Sequence, residues 1–327
     1  MKSRYKNIFF VFGLAVLGFM VSQLDFAEAW SSLLRAGYCF PAIIVLWAFL
    51  YLFNTASWLT ILHSLQGNNN IRFAWLYKVA VSGFALNYAT PGGLMGGEPY
   101  RIMELAPIIG TEKASSSVIL YTMTHIFSHL CFWLMSVVLY IVMYAIDTPM
   151  AILLTTITFF CLAAIIIFLC GYKYGLAYRL ISLLQHIPLI KGKISHFILT
   201  HKTLLDNIDM QIKTFHGQRP TALVLAVILE LACRIFSALE IYLILLVLTP
   251  SVSYGTCILI LAFTSLVANI LFFMPLQLGG REGGFLLSAT GLGMSANIAI
   301  FLALLVRLRE LVWTGIGLLL IKVSAKH

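Results

Sequence analysis

Two long apolar runs carry more charged side chains than a lipid-facing helix could tolerate. These residues are Glu230, Arg234, Glu240, Arg307, Arg309 and Glu310. On insertion scales each would cost roughly 2.5–3.5 kcal/mol at the centre of a membrane helix, so we expect them to face one another. Their formal charges cancel. Such a cluster could bind a phosphate group, because arginine forks match phosphate geometry. The alternative is that the pairs only hold helices together.

The spacing within each run predicts how these charges pair. Glu230 and Arg234 are four residues apart, which allows them to meet on one helix face. We expect them to form a switchable pair. Arg307 and Glu310 are three residues apart, which also allows them to pair on one face of their helix. The arginines expected to hold phosphate are Arg281, Arg307 and Arg309.

Two glycine- and proline-rich segments interrupt the apolar sequence at membrane depth. Neither residue type holds a regular helix, and broken backbone in hydrocarbon must be covered by protein or line a cavity. The break residues are Pro91, Gly92, Gly93, Gly96, Gly97, Pro275, Gly279, Gly280, Gly283 and Gly284. A helix that starts after such a break is an anion site. Glu98 and Glu282 are expected to cap or gate the two breaks.

The two breaks align without gaps, which predicts an internal repeat. Glu98 falls on Glu282 in this alignment. Farther along at the same spacing, His125 falls on Arg309. Paired breaks in corresponding halves point to the substrate site of a transporter. The residues predicted to bind or guide a substrate are Asn87, Glu98, Arg101, His125, Glu230, Arg234, Gln277, Arg281, Glu282, Arg307, Arg309 and Glu310.

Two histidines four residues apart, His125 and His129, allow three interpretations. Their spacing could serve a metal, but no acid accompanies them in an H-E-x-x-H pattern, so no metal is expected. Hydrogen bonding between helices is one alternative, and a proton relay is the other. The chain has no recognisable set of nucleophile, base and orienting group. We therefore expect neither an enzyme nor a cofactor.

Composition identifies the class of protein that carries these residues. The chain is 61% hydrophobic and 10% charged, whereas soluble domains are about half apolar and a quarter charged. This predicts an all-α, polytopic integral membrane bundle. The net charge of +9 lies mostly at the ends and in one loop. That distribution is typical of cytoplasmic flanks rather than of nucleic-acid binding.

The order of apolar and polar segments predicts one membrane domain over residues 1–327. Its parts are a first helix and connection (1–38), repeat one (39–145), a fifth apolar run with a basic amphipathic cytoplasmic segment (146–222), repeat two (223–321) and a basic tail (322–327). The first run also resembles a signal peptide with a cleavage site near Ala29. Because it is long enough to span a membrane, we expect it to remain uncleaved.

The positive-inside rule distinguishes two topologies. If all eight apolar runs cross the membrane and the N-terminus is inside, the basic stretch 173–219 lies outside, against the rule. If 72–110 and 255–292 are instead re-entrant hairpins, that stretch lies inside and the turn at Asp147 lies outside. The second topology places both termini in the cytoplasm and makes the two halves an inverted repeat. We expect this second topology, and we expect the protein to lie in a bacterial-type inner membrane.

The motifs also resemble a known family. The segment Pro91-Gly-Gly-Leu-Met-Gly-Gly-Glu-Pro-Tyr-Arg101 and a late Pro-x-x-x-Gly-Gly-x-Glu-Gly resemble the lysylphosphatidylglycerol synthase transmembrane, or flippase-like, family. Gln277 and Arg281 stand where glycine or small apolar residues are commoner. In that family the membrane module accompanies a cytosolic aminoacyltransferase domain and is implicated in moving aminoacylated phospholipid. Because the sequence ends at His327, we expect the membrane module without the synthase domain.

The function expected from these features is that of a lipid translocase. An anionic or zwitterionic head group would pass between leaflets while its tails remain in lipid. The alternative is a non-transporting membrane subunit that binds a lipid-linked intermediate or a partner glycosyltransferase or synthase through residues 173–219. An intramembrane transferase is a third reading that no catalytic set supports. Membrane lipids are the expected partners, nucleic acid is not, and a homo-oligomer is compatible with the sequence.

Overall fold

Helices account for the regular structure in the part of the chain that the structure describes. The computed structural model describes residues 2–22, 25–66, 71–89, 96–174, 210, 220–271 and 279–322. Within these ranges the chain forms eleven helices and no strand, which confirms the all-α prediction. The helices are α1 (Lys2–Ser22), α2 (Phe26–Ala36), α3 (Cys39–Gln66), α4 (Phe73–Ala89), α5 (Gly97–Ile109), α6 (Thr111–Met143), α7 (Thr148–Tyr174), α8 (Pro220–Leu246), α9 (Tyr254–Ile270), α10 (Gly280–Gly291) and α11 (Ala296–Lys322).

Several helices suit a membrane by length and composition. Among the described residues, four stretches are long and apolar enough to cross it: Cys39–Leu65, Thr111–Met143, Thr148–Leu169 and Pro220–Leu246. Helix α11 is as long as α8, with 27 residues, and carries three charged residues close together, Arg307, Arg309 and Glu310. Two of these, Arg309 and Glu310, are buried, so α11 still presents apolar side chains to its surroundings. The protein is a multi-pass membrane bundle.

The lengths of the helices repeat along the chain. Helices α3 to α6 have 28, 17, 13 and 33 residues, and α8 to α11 have 27, 17, 12 and 27. At 1.5 Å per residue the short helices measure about 18–26 Å, less than the roughly 30 Å of hydrocarbon. The long helices exceed this thickness. Each half therefore consists of two long helices with a short pair between them.

The packing of the two halves is reciprocal. Helix α4 packs against α11, and its counterpart α9 packs against α6, while α3 and α8 lie against each other. The short helices of each pair, α4 with α5 and α9 with α10, are also in contact. These contacts are those expected if the halves exchange places about a two-fold axis. They do not define the face from which each pair enters, so the re-entrant hairpins and the inverted repeat stay predictions.

The short pairs meet at glycines whose roles differ. Gly279 has φ +79°, which favours glycine. Gly97 is the first residue of α5, and a Cβ there would collide with the carbonyl of Gly83 and the side chain of Asn87. Gly284, assigned above to the second break, lies inside α10, where a Cβ would come 3.1 Å from the backbone oxygen of Thr264. Close packing therefore explains this glycine.

Two further predicted break residues also lie inside α10, Gly280 at its first position and Gly283. Gly96 is the residue before α5. The remaining break residues, Pro91, Gly92, Gly93 and Pro275, lie outside the described residues, as do Gln277 and most of the basic stretch 173–219.

The contact between α4 and α11 predicts the effect of enlarging Gly317. A Cβ on Gly317 would lie 2.5 Å from Cβ of Ala85 and 2.9 Å from the carbonyl oxygen of Val81. Gly317→Ala should therefore lower the free energy of unfolding by about 1–3 kcal/mol, the usual cost of overpacking. Thermal unfolding of the purified protein in detergent measures this change.

Gly315→Ala is the matched control, because its Cβ would meet only Cδ2 of Leu17, at 3.9 Å. Equal melting temperatures for the Gly315→Ala and Gly317→Ala variants would contradict the close approach of α4 and α11.

Candidate functional site

A cavity of about 290 Å³ lies between the two halves of the bundle. Its described lining comes from α3, α4 and α6 of the first half and from α8 to α11 of the second. Three arginines and three glutamates contribute to the wall, so their formal charges cancel: Arg234, Arg281, Arg309, Glu230, Glu240 and Glu310. The volume is close to the lower end of ligand sites, roughly 300–1,000 Å³.

Glu240 joins three helices at one carboxylate. Nε and Nη2 of Arg309 donate to its two oxygens at 2.7 and 2.9 Å, the bidentate arrangement that these groups favour. Nε1 of Trp47 donates to the same carboxylate at 2.9 Å. The guanidinium carbon of Arg309 also lies 3.9 Å from the centre of the Trp47 ring. Helices α3, α8 and α11 are therefore linked through a buried ion pair.

Two more ion pairs connect the short helix α10 to α11. Arg281 of α10 pairs with Glu310, and Glu282 of α10 pairs with Arg307. Glu310 also accepts a hydrogen bond from the hydroxyl of Tyr88 on α4, at 2.5 Å. Glu282 additionally accepts from the backbone N–H of Gly279 at 2.9 Å, at the start of α10. A small pocket of about 10 Å³ adjoins these groups.

Elsewhere on the cavity wall, Glu230 and Arg234 of α8 have separate partners. Nδ1 of His125 lies 2.8 Å from one oxygen of Glu230, and the amide of Asn54 donates to both oxygens at 3.1 Å. Arg234 donates from Nε to the hydroxyl of Ser128 at 2.8 Å and from Nη2 to the carbonyl of His125 at 2.9 Å. Helix α6 is thereby attached to α8 by neutral and charged partners.

These contacts replace the pairs predicted from spacing. Arg307 does not pair with Glu310 along α11 but with Glu282, and Glu310 pairs with Arg281. Glu230 and Arg234 likewise form no ion pair within 4.0 Å of each other in the described chain. A guanidinium that leans across to a facing helix cannot also lie along its own. Packing between helices therefore decided the partners, which spacing within a helix could not reveal.

The residues at the first break form a cluster of their own. Asn87 accepts from the backbone N–H of Gly97 at 2.7 Å and donates to Glu98 at 3.0 Å, while Arg101 contacts Glu98 at 3.4 Å. None of Asn87, Glu98 and Arg101 belongs to the described cavity wall. Arg101 is 1% exposed.

The structure therefore divides the predicted site residues into two groups. Those that line the cavity are His125, Glu230, Arg234, Arg281, Arg309 and Glu310, with Glu282 and Arg307 beside them. The cluster of Asn87, Glu98 and Arg101 lies apart from that lining.

The guanidinium of Arg101 is enclosed by aromatic rings. Its central carbon lies 4.6 Å from the ring centre of Phe84, 5.3 Å from Tyr121 and 5.7 Å from Trp58. A Cβ at Gly83 would collide with the Arg101 side chain, so glycine makes room for it. This arrangement joins α3, α4, α5 and α6. A substrate-binding role for Arg101 stays a prediction.

The two histidines lie on the same wall of the cavity, with ring centres 5.5 Å apart. His125 forms a contact between helices through Glu230, the hydrogen-bonded alternative considered above. In the part of the chain that the structure describes, no group of three His, Cys, Asp or Glu residues could hold a metal ion. The proton relay stays a prediction.

Sequence reasoning gave no site role to Trp47, Asn54 or Tyr88, and left Glu240 without a partner. Asn54 offered a signal, since it is an amide within the apolar run of α3. Trp47 and Tyr88 offered none, because aromatic residues are frequent throughout this chain. Their hydrogen bonds to Glu240 and Glu310 join different helices, so they depend on how the helices pack and could not be predicted from the sequence.

Apolar helices around a charged, formally neutral cavity define a multi-pass integral membrane protein with a polar interior. The family described as the lysylphosphatidylglycerol synthase TM region matches residues 8–317. The chain therefore belongs to this family, which confirms the resemblance and indicates a function related to membrane lipids. The match concerns the membrane region alone, in keeping with a non-catalytic module. No curated protein matches the chain.

The Arg309–Glu240 pair predicts a test of the cavity wall. Arg309→Met leaves Glu240 buried without its counter-charge, so we expect the free energy of unfolding to fall by about 3–5 kcal/mol. Adding Glu240→Gln should recover much of this loss, because no uncompensated charge remains and Gln still accepts from Trp47. Thermal unfolding in detergent compares the variants. A double variant no more stable than Arg309→Met would contradict the pairing.

Proposed function

We propose that this protein moves the head group of a phospholipid or lipid-linked intermediate between leaflets, through the cavity between its halves. The acyl or prenyl tails remain in the surrounding lipid. The observation that carries the proposal is the cavity wall, where arginines and glutamates lie within a bundle of apolar helices. Membership of a lipid-related membrane family supports the same reading.

The physical difficulty of lipid exchange is the head group. A charged group that enters hydrocarbon unaided loses its water without compensation. The cavity offers replacement partners of both signs, so a phosphate can meet arginine and a cationic group can meet glutamate. Because the wall is formally neutral, the cavity keeps a total charge of zero when a zwitterionic head group enters.

The two ion pairs between α10 and α11 are the proposed gate. Arg281 and Arg307 each bind a glutamate on the facing helix. A phosphate that approaches either arginine competes with that glutamate for the same donors. The released glutamate then repels the anion, which favours onward movement over trapping. Helix α10 begins after Gly279, whose φ of +79° lies outside the helical region, and it moves as the gate opens.

We also propose the membrane orientation. The pairs α4–α5 and α9–α10 enter as re-entrant hairpins from opposite faces, and both termini lie in the cytoplasm of a bacterial-type cell. The basic residues near the ends support this orientation.

Labelling with a membrane-impermeant maleimide tests the orientation. Asp147 and Lys322 are both exposed, so cysteine substitutions there, in a chain without native cysteines, are accessible to reagent. We expect the Asp147→Cys variant to react in intact cells with a permeable outer membrane. The Lys322→Cys variant should react only after the inner membrane is opened. The reverse pattern would contradict the orientation.

Filling the cavity tests the proposed path. Ser237 lines it, and Ser237→Phe should slow the movement of a fluorescent phospholipid in proteoliposomes roughly tenfold or more, which corresponds to about 1.4 kcal/mol of added barrier. Bleaching of the label by an impermeant reductant measures this rate. Leu153→Phe on α7 is the control, because Leu153 is exposed and lies outside the described wall.

Equal rates of lipid movement for the Ser237→Phe variant and the wild-type protein would contradict a path through the cavity. If the folded wild-type protein moves no lipid at all, the proposal is wrong. The hypothesis of a non-transporting membrane subunit that binds a partner is then favoured. Co-purification of a glycosyltransferase or synthase would then be the observation to seek.

A further inference from the structure

The arginines around the cavity are not equivalent. Arg309, Arg281 and Arg307 each form an ion pair with a glutamate. Arg234 lines the cavity as well, yet it has no carboxylate within 4.0 Å in the described part of the chain. An arginine of this kind keeps its charge but lacks a direct counter-ion, which is costly inside a membrane protein.

The side chain of Arg234 is held in place by neutral groups. Nε donates to Ser128 and Nη2 donates to the carbonyl oxygen of His125. A guanidinium has five N–H donors, so the hydrogens of Nη1 and one of Nη2 keep no acceptor among the described residues. Two contacts to α6 thus fix the orientation of the fork and leave its remaining donors for a ligand.

The nearby carboxylate does not occupy the donors of this fork. Glu230 lies one helical turn before Arg234, but its oxygens accept from Asn54 and contact His125. Glu230 balances Arg234 in the formal charge of the wall without occupying its donors. The free donors of Arg234 therefore remain available on the polar wall of the cavity.

His129 adds a second nitrogen donor to the same wall. It lines the cavity, and its Nδ1 is buried without a hydrogen-bond partner in the described chain. The tautomer of a histidine is set by the hydrogen bond that its other nitrogen makes. Since no acceptor fixes the proton on Nδ1, the ring can present Nε2–H to the cavity.

From these contacts we infer that Arg234, oriented by Ser128 and assisted by His129, is the subsite for a phosphate-type oxyanion. This inference rests on the proposed function, and it replaces the sequence-based expectation that Arg281, Arg307 and Arg309 hold phosphate. Those three arginines act as paired groups that a passing anion disturbs, whereas Arg234 is ready to bind before any pair opens.

Binding to the purified full chain in a neutral detergent tests the subsite. The probes are phosphatidylglycerol, inorganic phosphate and a phosphate-free glycosyl diacylglycerol, and the measurement is the rise in melting temperature with ligand concentration. Arg234→Gln should raise the Kd for phosphatidylglycerol about ten- to a hundredfold, the loss expected for a charge-assisted hydrogen bond. Arg234→Lys should retain part of the affinity, because it keeps the charge.

Arg35→Gln is the charge-matched control, since Arg35 is exposed on α2 and should leave the Kd unchanged. Ser128→Ala is a milder variant that removes the acceptor of Nε, and it should also weaken binding. An unchanged Kd in both Arg234→Gln and Ser128→Ala would overturn the inference. Equally strong binding of the phosphate-free lipid would overturn it too.

The two phosphate probes identify the source of the oxyanion. An Arg234-dependent response to phosphatidylglycerol supports a lipid head group, and a response to inorganic phosphate alone supports a free-phosphate site. Failure of the proposed function has a different signature, because lipid then binds through Arg234 but does not change leaflet in proteoliposomes. Lipid movement at the wild-type rate in Arg234→Gln would instead reject the subsite alone.

Discussion

The burial of ion pairs between facing helices is the interaction on which the rest of this structure depends. Glu240 and Arg309 illustrate it, because both are buried and each satisfies the charge of the other. Removing either partner would leave a charge that the apolar surroundings cannot solvate. The positions of α8 and α11 are therefore coupled to the chemistry of the cavity wall.

This constraint also explains what the sequence could and could not reveal. Composition and helix-length apolar runs were enough to predict an all-α membrane bundle. The glycine clusters did not locate the helix ends, since Gly280, Gly283 and Gly284 were assigned to a break but lie inside α10. The partners of Arg307 and Glu310 could not be predicted in the same way. Their ion pairs join α10 to α11, and such contacts depend on how helices face each other.

The position of Arg101 shows the same limit. Its place beside the first break suggested a substrate-facing group, whereas the structure surrounds it with Trp58, Phe84 and Tyr121. Gly83 leaves room for the Arg101 side chain. From the sequence alone, a glycine within an apolar run could equally serve other purposes. Contacts across three helices were needed to choose among them.

The long helices α3 and α8 have corresponding places in the two halves but contribute opposite chemistry. Helix α3 supplies Trp47 and Asn54, which donate hydrogen bonds, while α8 supplies the acceptors Glu240 and Glu230. The carboxylates of α8 therefore take hydrogen bonds from donors on α3. The two long helices are not interchangeable, although their places in the two halves correspond, because the cavity wall needs the acids on one of them and the donors on the other.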